Sequence, residues 1–151
     1  MSRAFVKENS EAAPPPERMV EDGPNPVTPE GWREIEAHVA RIEAAMAAET
    51  NVLLRETLER DLRYWTARKA SAELVPPSAD TGIVAFGSRV TIARGERRQT
   101  FRIVGVDEAD ASRGLVSFRA PLAAAVLGAR KGEIIEAAST LGEIEVLALE
   151  S

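Results

Sequence analysis

The chain of 151 residues contains no cysteine. That excludes disulfides, thiolate metal sites and cysteine nucleophiles. It has one histidine, His38. A histidine-based metal cluster is therefore impossible, and a Ser-His-Asp triad is a poor fit. Aromatics are scarce, at 5% of residues. No long apolar run appears, and the start MSRAFVKENSEAAPPPERM has no apolar h-region. This reads as a cytoplasmic protein without signal peptide or membrane span. Excess positive charge is also missing. The net charge is −5, a poor match for naked nucleic acid, which is bound by releasing counterions from phosphates onto Lys and Arg. Such a charge could instead suit a basic protein channel or groove.

What is present falls into distinct stretches. Apolar content is 44%, enough for a core in one domain or two small ones. Residues 1–27 are rich in Pro, Glu and Ala without periodicity, and are expected to be a flexible tail. At TPEGW the text changes. Thr28 is a candidate N-cap, Pro29 suits the first helical position, and Glu30 suits the first turn. Trp32, Ile35, Val39, Ile42 and Met46 then recur with the alternating spacing of a coiled-coil seam. A second seam runs through Leu58, Leu62 and Trp65 to Ala72, with Lys69 in the skipped position. The helix must end before the prolines of VPP.

Two seams of similar length predict an antiparallel helical hairpin over 28–75 with its tip near Thr50. In that register Met46 faces Leu54, Ile42 faces Leu58, and Ile35 faces Trp65. The turn AAETNVLLRE has no glycine or proline, and Thr50 or Asn51 is the candidate cap for the second helix. His38 falls beside the seam and is expected to be exposed. Residues 76–81 read as a linker.

From Gly82 the period becomes two. RVTIAR, QTFRIVG, LVSF, EIIEA and GEIEVLAL predict about five strands, with a turn at Gly95–Glu96 and one short helix opened by Pro121. The fold class is therefore α+β: a helical hairpin, then a small antiparallel sheet with one short helix over 82–151. From Thr81 onward the chain carries nine basic and nine acidic residues, so this half has no basic face of the nucleic-acid-binding kind. The pairs Arg97–Arg98 and Arg130–Lys131 are candidate contacts for an acidic surface or nucleic acid, or simply turn residues.

Several segments together resemble the Gre family of transcript-cleavage factors. FGSRVTI resembles its first sheet strand, FRIVGVDEAD its IVG-x-DEAD segment, and APLAAAVLGARKGEIIE its SPLARALLG helix and turn. TPEGWREIEAHV is similar to the family's helix start, and MSRAFVKE looks like the start of one proteobacterial branch. The resemblance implies an FKBP-like sheet domain and a cytoplasmic, monomeric partner of RNA polymerase. It would dock at the rim of the secondary channel, without sequence-specific nucleic-acid contact or membrane. Asp107, Glu108, Asp110, Pro121 and Leu122 would belong to the polymerase-binding surface. Hairpin-tip carboxylates of the family hold a second Mg²⁺ shared with the polymerase active site. Two metals about 4 Å apart then clamp the attacking and leaving oxygens of the RNA phosphodiester.

The tip departs from that pattern. No match to the family's acidic tip motif is present. The hairpin is also about twenty residues shorter, which removes about 15 Å of reach at about 1.5 Å per residue. Short-hairpin relatives, typified by the regulator of nucleoside diphosphate kinase, resemble it in this respect. The expectation is a non-enzymatic regulator with no tightly bound cofactor, its tip formed by Glu49, Thr50 and Asn51. The alternative is a working cleavage factor using Glu49 and Glu56 as substitute carboxylates. A third reading, an FKBP-type isomerase or general protein-binding module, is disfavoured by a sheet whose aromatics are Phe86, Phe101 and Phe118 alone.

Overall fold

A computed structural model describes residues 13–138 and 140–150. The resemblance at MSRAFVKE lies outside the described residues. The chain divides into two compact units. One holds Arg33–Ser71 with the segment ending at Gly23, and the other holds Pro24–Trp32 with everything from Ala72 onward.

The helical unit is built on α1 (Pro29–Ala48) and α2 (Val52–Ser71). At about 1.5 Å per residue each arm is about 30 Å long. The hairpin register is visible in its cross-helix contacts. The His38 ring stacks on Trp65 with centroids 4.0 Å apart and planes 8° from parallel. His38, expected to be exposed, is therefore half-buried on an indole face. Arg41 reaches its Nδ1 at 2.9 Å. Ile35 is fully buried. Leu54, predicted to face Met46, is 55% exposed. Arg55 bridges the tip. Its guanidinium donates to the carbonyls of Met46 at 2.6 Å and Glu49 at 3.4 Å. It satisfies carbonyls at the end of α1 from the exposed surface of the tip.

Of the stretch 1–27 expected to be a flexible tail, residues 1–12 lie outside the described residues, and Glu17 and Arg18 have partners within this unit. Glu17 accepts two hydrogen bonds from Arg63, at 2.7 and 2.8 Å. Arg18 pairs with Asp61 at 3.3 Å and lies 3.9 Å over the Tyr64 ring. An extended, proline-containing stretch cannot supply its own backbone hydrogen bonds, so its order comes from these side-chain contacts.

The second unit contains two sheets. In the smaller, β1 (Asn25–Val27) pairs in parallel with β2 (Ala72–Leu74). Neither strand is expected from the sequence, which assigns Asn25–Val27 to the tail and Ala72–Leu74 to the hairpin. Proline at 76 and 77 favours extended backbone before it. That preference propagates back to Ala72 because β1 offers a ladder, continued by Val75 N–H to the Val27 carbonyl at 2.9 Å.

The larger sheet has five strands, β3 (Arg89–Arg94), β4 (Arg97–Val104), β5 (Leu115–Ser117), β6 (Ile134–Glu136) and β7 (Glu143–Glu150). Their order is β5-β4-β3-β7-β6. The five strands occupy the predicted segments, but the sheet is mixed rather than antiparallel, since β4 and β5 run in parallel. The stretch Gly105–Gly114 between them makes two short 3-10 turns, 106–108 and 111–113, and so crosses back instead of reversing. Alternation along the strands places Val90, Ile92, Phe101, Ile103, Ile144 and Val146 on one buried face. The short helix α3 (Pro121–Val126) covers that face with Ala123 and Val126. A register shift between Thr91 and Ile92 leaves Leu147 as the extra residue of a bulge in β7.

Candidate functional site

Two places carry the residues singled out by the sequence: the hairpin tip and the acidic loop after β4.

At the tip the chain reverses in three residues, Glu49 to Asn51, without glycine or proline. Side chains replace the missing turn chemistry. The Glu49 carboxylate folds back and accepts the backbone N–H groups of Thr50 at 3.2 Å and Asn51 at 3.0 Å. Asn51 is the N-cap of α2, its Oδ1 accepting from Leu54 N–H at 3.1 Å. Of the two candidates, Asn51 rather than Thr50 therefore caps the helix. Glu56 lies on the second turn, with Oε2 enclosed and without a hydrogen-bond partner.

Both tip carboxylates are thus partly engaged within the chain. Mg²⁺ takes octahedral oxygen ligands, usually one or two carboxylates completed by water and phosphate. Glu49 is engaged by two N–H donors, and one oxygen of Glu56 faces protein. Among the described residues no group of three or more His, Asp or Glu could hold a metal ion. The tip instead exposes Val52, Leu53 and Leu54, at 69%, 38% and 55%.

The acidic loop is organised differently from its appearance in the sequence, where Asp107, Glu108 and Asp110 form one partner-binding acidic patch. Glu108 is only 8% exposed and turns inward. Its Oε2 accepts from Thr28 N–H at 3.1 Å and Gly105 N–H at 3.0 Å, while Oε1 accepts from the Thr28 hydroxyl. Thr28 in turn caps α1 by accepting from Gly31 N–H at 3.0 Å. In an ordinary capping box the third helical residue is Glu or Gln and reaches back to the N-cap N–H. Here that position is Gly31, and the carboxylate arrives from Glu108, 80 residues along the chain. A β-carbon on Gly31 would sit 2.2 Å from the Glu108 Cδ, and one on Gly105 would sit 2.5 Å from the Pro26 carbonyl oxygen. Both glycines are required by this close approach.

Asp110 is also engaged. It accepts from the Ser112 hydroxyl at 2.6 Å and the Ser112 N–H at 3.0 Å. The Ser112 hydroxyl bond holds its carboxyl below the usual carboxylate range, helped by the Ser112 backbone N–H and nearby Arg113. Asp107 is half-buried. Pro121 is exposed and Leu122 packs on the core. Pro121 lines a shallow groove of about 470 Å³ with Ala124, Ala125, Ile135 and Leu141. The sequence signal for the Glu108 latch is a helix start with glycine where a capping acid belongs, but spacing alone does not locate the acid that replaces it.

These features define a class: an α+β protein with a capped helical hairpin and a sheet unit whose acidic loop locks the first turn of the hairpin's leading helix. Residues 79–151 match the family model described as "Transcription elongation factor, GreA/GreB, C-term". The likeness to the GreA/GreB family thus lies in this C-terminal stretch. It is 37% identical over 98 residues to transcription elongation factor GreB of Neisseria meningitidis, a match that covers 62% of this chain and 60% of that protein. It is 42% identical over 67 residues to transcription elongation factor GreA of Paracoccus denitrificans, covering 43% of each. The matches thus span about half the length of these relatives. A solved GreA/GreB factor from Nitrosomonas europaea aligns with 20% identity and a TM-score of 0.41, covering 86% of this chain and 100% of that one. Among the described residues no helix is long and apolar enough to cross a membrane.

Proposed function

We propose that this protein is a regulator of bacterial RNA polymerase that docks at the rim of the secondary channel and does not stimulate transcript cleavage. It acts as a cytoplasmic monomer with no metal of its own. The match of residues 79–151 to the GreA/GreB C-terminal model supports the polymerase as partner. The sheet unit would dock through the exposed part of the acidic loop and the Pro121 edge. The hairpin would present its tip towards the channel.

The observation that carries the reading is the state of the tip carboxylates. Glu49 caps the turn through two N–H groups, and Glu56 has an enclosed oxygen. A cleavage factor needs carboxylates free to share a second Mg²⁺ with the polymerase. This tip offers three exposed apolar side chains instead, the chemistry of a protein contact. Arms of 20 residues each also limit its reach.

The test uses a stalled, backtracked elongation complex with Mg²⁺. The expected result is binding to core polymerase and competition with a cleavage factor, without release of 3′ RNA fragments. Prompt cleavage that disappears in Glu49→Ala would establish the alternative chemistry. Failure to co-purify with core polymerase would remove the partner itself.

A further inference from the structure

The end of the β3–β4 hairpin carries charge that the fold leaves uncompensated. Arg94 and Arg97 stand directly opposite each other in the register, on either side of the two-residue turn Gly95–Glu96. Gly95 has φ +62, which suits a turn of the II′ kind and holds the two strands at fixed separation. Arg98 comes next along β4. Like charges directly opposed across a strand pair destabilise the pair. They persist here in a chain with 24 acidic residues against 19 basic ones.

Several other arginines are matched: Arg18 and Arg60 with Asp61, Arg55 with Glu59, Arg63 with Glu17, Arg102 with Glu30. Among the described residues, Arg94, Arg97 and Arg98 have no ion pair or guanidinium hydrogen bond. Carboxylates are within reach of the register. Glu96 is in the turn, and Glu145 lies across Ala93. Neither is used. The three arginines, Gln99 and Ile92 line one cleft of about 230 Å³.

We propose that this cleft binds a terminal phosphoryl group, from a free polyphosphate or nucleotide or from a nucleic-acid 5′ end. The guanidinium is a planar fork that binds two oxygens of one anion. A carboxylate has two oxygens, and one fork saturates it. A terminal phosphoryl group presents three oxygens and about −1.5 to −2 charge at neutral pH, which can engage all three arginines. The Gln99 amide can donate a further hydrogen bond. The small volume fits such a group better than a flat protein surface. This assignment is independent of the polymerase reading above and survives or fails separately.

The experiment is an NMR titration of the full chain that tracks the arginine Nε–H resonances at constant ionic strength. The probes are inorganic pyrophosphate, a 5′-phosphorylated RNA oligonucleotide, its 5′-hydroxyl counterpart, and tetraglutamate. Saturable shifts of Arg94, Arg97 and Arg98 with pyrophosphate support the site. They should weaken about tenfold in Arg97→Gln, the loss expected for one charge-assisted contact. Response to the 5′-phosphorylated oligonucleotide but not to pyrophosphate also supports it and identifies a nucleic-acid end as the source. Equal binding of the two oligonucleotides overturns the terminal-phosphoryl assignment in favour of the backbone. Equal or stronger binding of tetraglutamate, or no saturable shift with any probe, also overturns it. Arg97 is exposed, so Arg97→Gln should unfold like the parent chain. Arg89→Gln, exposed at the opposite end of β3 from the turn, serves as a charge control and should leave the titration unchanged.

Discussion

Replacing Glu108 tests the interaction that most constrains the sheet unit. In Glu108→Ala, two backbone donors, Thr28 N–H and Gly105 N–H, lose their acceptor. The Thr28 hydroxyl loses one too, but it can rotate. Leaving a buried donor unsatisfied costs about 1–3 kcal/mol, and weakening the N-cap of α1 adds about 1 kcal/mol. The total is about 3–7 kcal/mol, a large part of the stability of an ordinary domain. Glu108→Gln separates the contributions. An amide oxygen at the Oε2 position still accepts both N–H groups, and only the Thr28 hydroxyl faces a donor. The loss should then be about 1–2 kcal/mol. Urea unfolding by circular dichroism measures the totals, and amide hydrogen exchange at Thr28 and Gly105 reports the local bonds. An alanine variant within about 0.5 kcal/mol of the parent would refute the reasoning, because that is the range of ordinary surface substitutions. So would a glutamine variant as damaged as the alanine one.

Other perturbations have equally definite outcomes. Gly31→Ala should destabilise by about 2 kcal/mol or more through collision with Glu108, since its new methyl would stand 2.2 Å from Cδ; thermal unfolding reads this directly. Glu56→Met should be neutral or stabilising by about 1 kcal/mol in urea titration, because it removes an enclosed oxygen with no partner. The lowered Asp110 carboxyl contributes stability that is present above its unfolded value near 3.8 and is lost as pH falls through its folded value. Asp110→Asn should therefore lower stability slightly in the neutral region and flatten the acid limb of a stability-against-pH curve. Finally, Glu49→Ala should lower thermal stability slightly by freeing the Thr50 and Asn51 N–H groups, while leaving fragment release from backtracked complexes at its unassisted level.

Period and local chemistry are legible along the chain before it folds. The 3-4 spacing from Trp32 to Met46 and the period-two runs from Arg89 onward are consequences of helix and strand geometry. They suffice to place α1, α2 and the five strands of the larger sheet. The cap at Thr28 is legible for the same reason, because it depends on residues three apart. Pairing directions are not. Period two puts Leu115 to Ser117 on a strand but does not say that the preceding loop crosses back to make it parallel to β4. Nor does it say that Ala72 to Leu74 leaves the helix, a choice made by a ladder with residues 47 positions away. The tip divides in the same way. Its lack of glycine and proline is plain in the sequence. Its means of turning, Glu49 folded onto two N–H groups and Arg55 bridging the tip, exists only in the folded hairpin. Glu108 shows the contrast most directly. As text it is one acid in an acidic loop. In the fold it fills the space left by Gly31 and caps a helix from 80 residues away. Local periodicity carries no record of such a contact, because only the closed chain brings the donor and acceptor together.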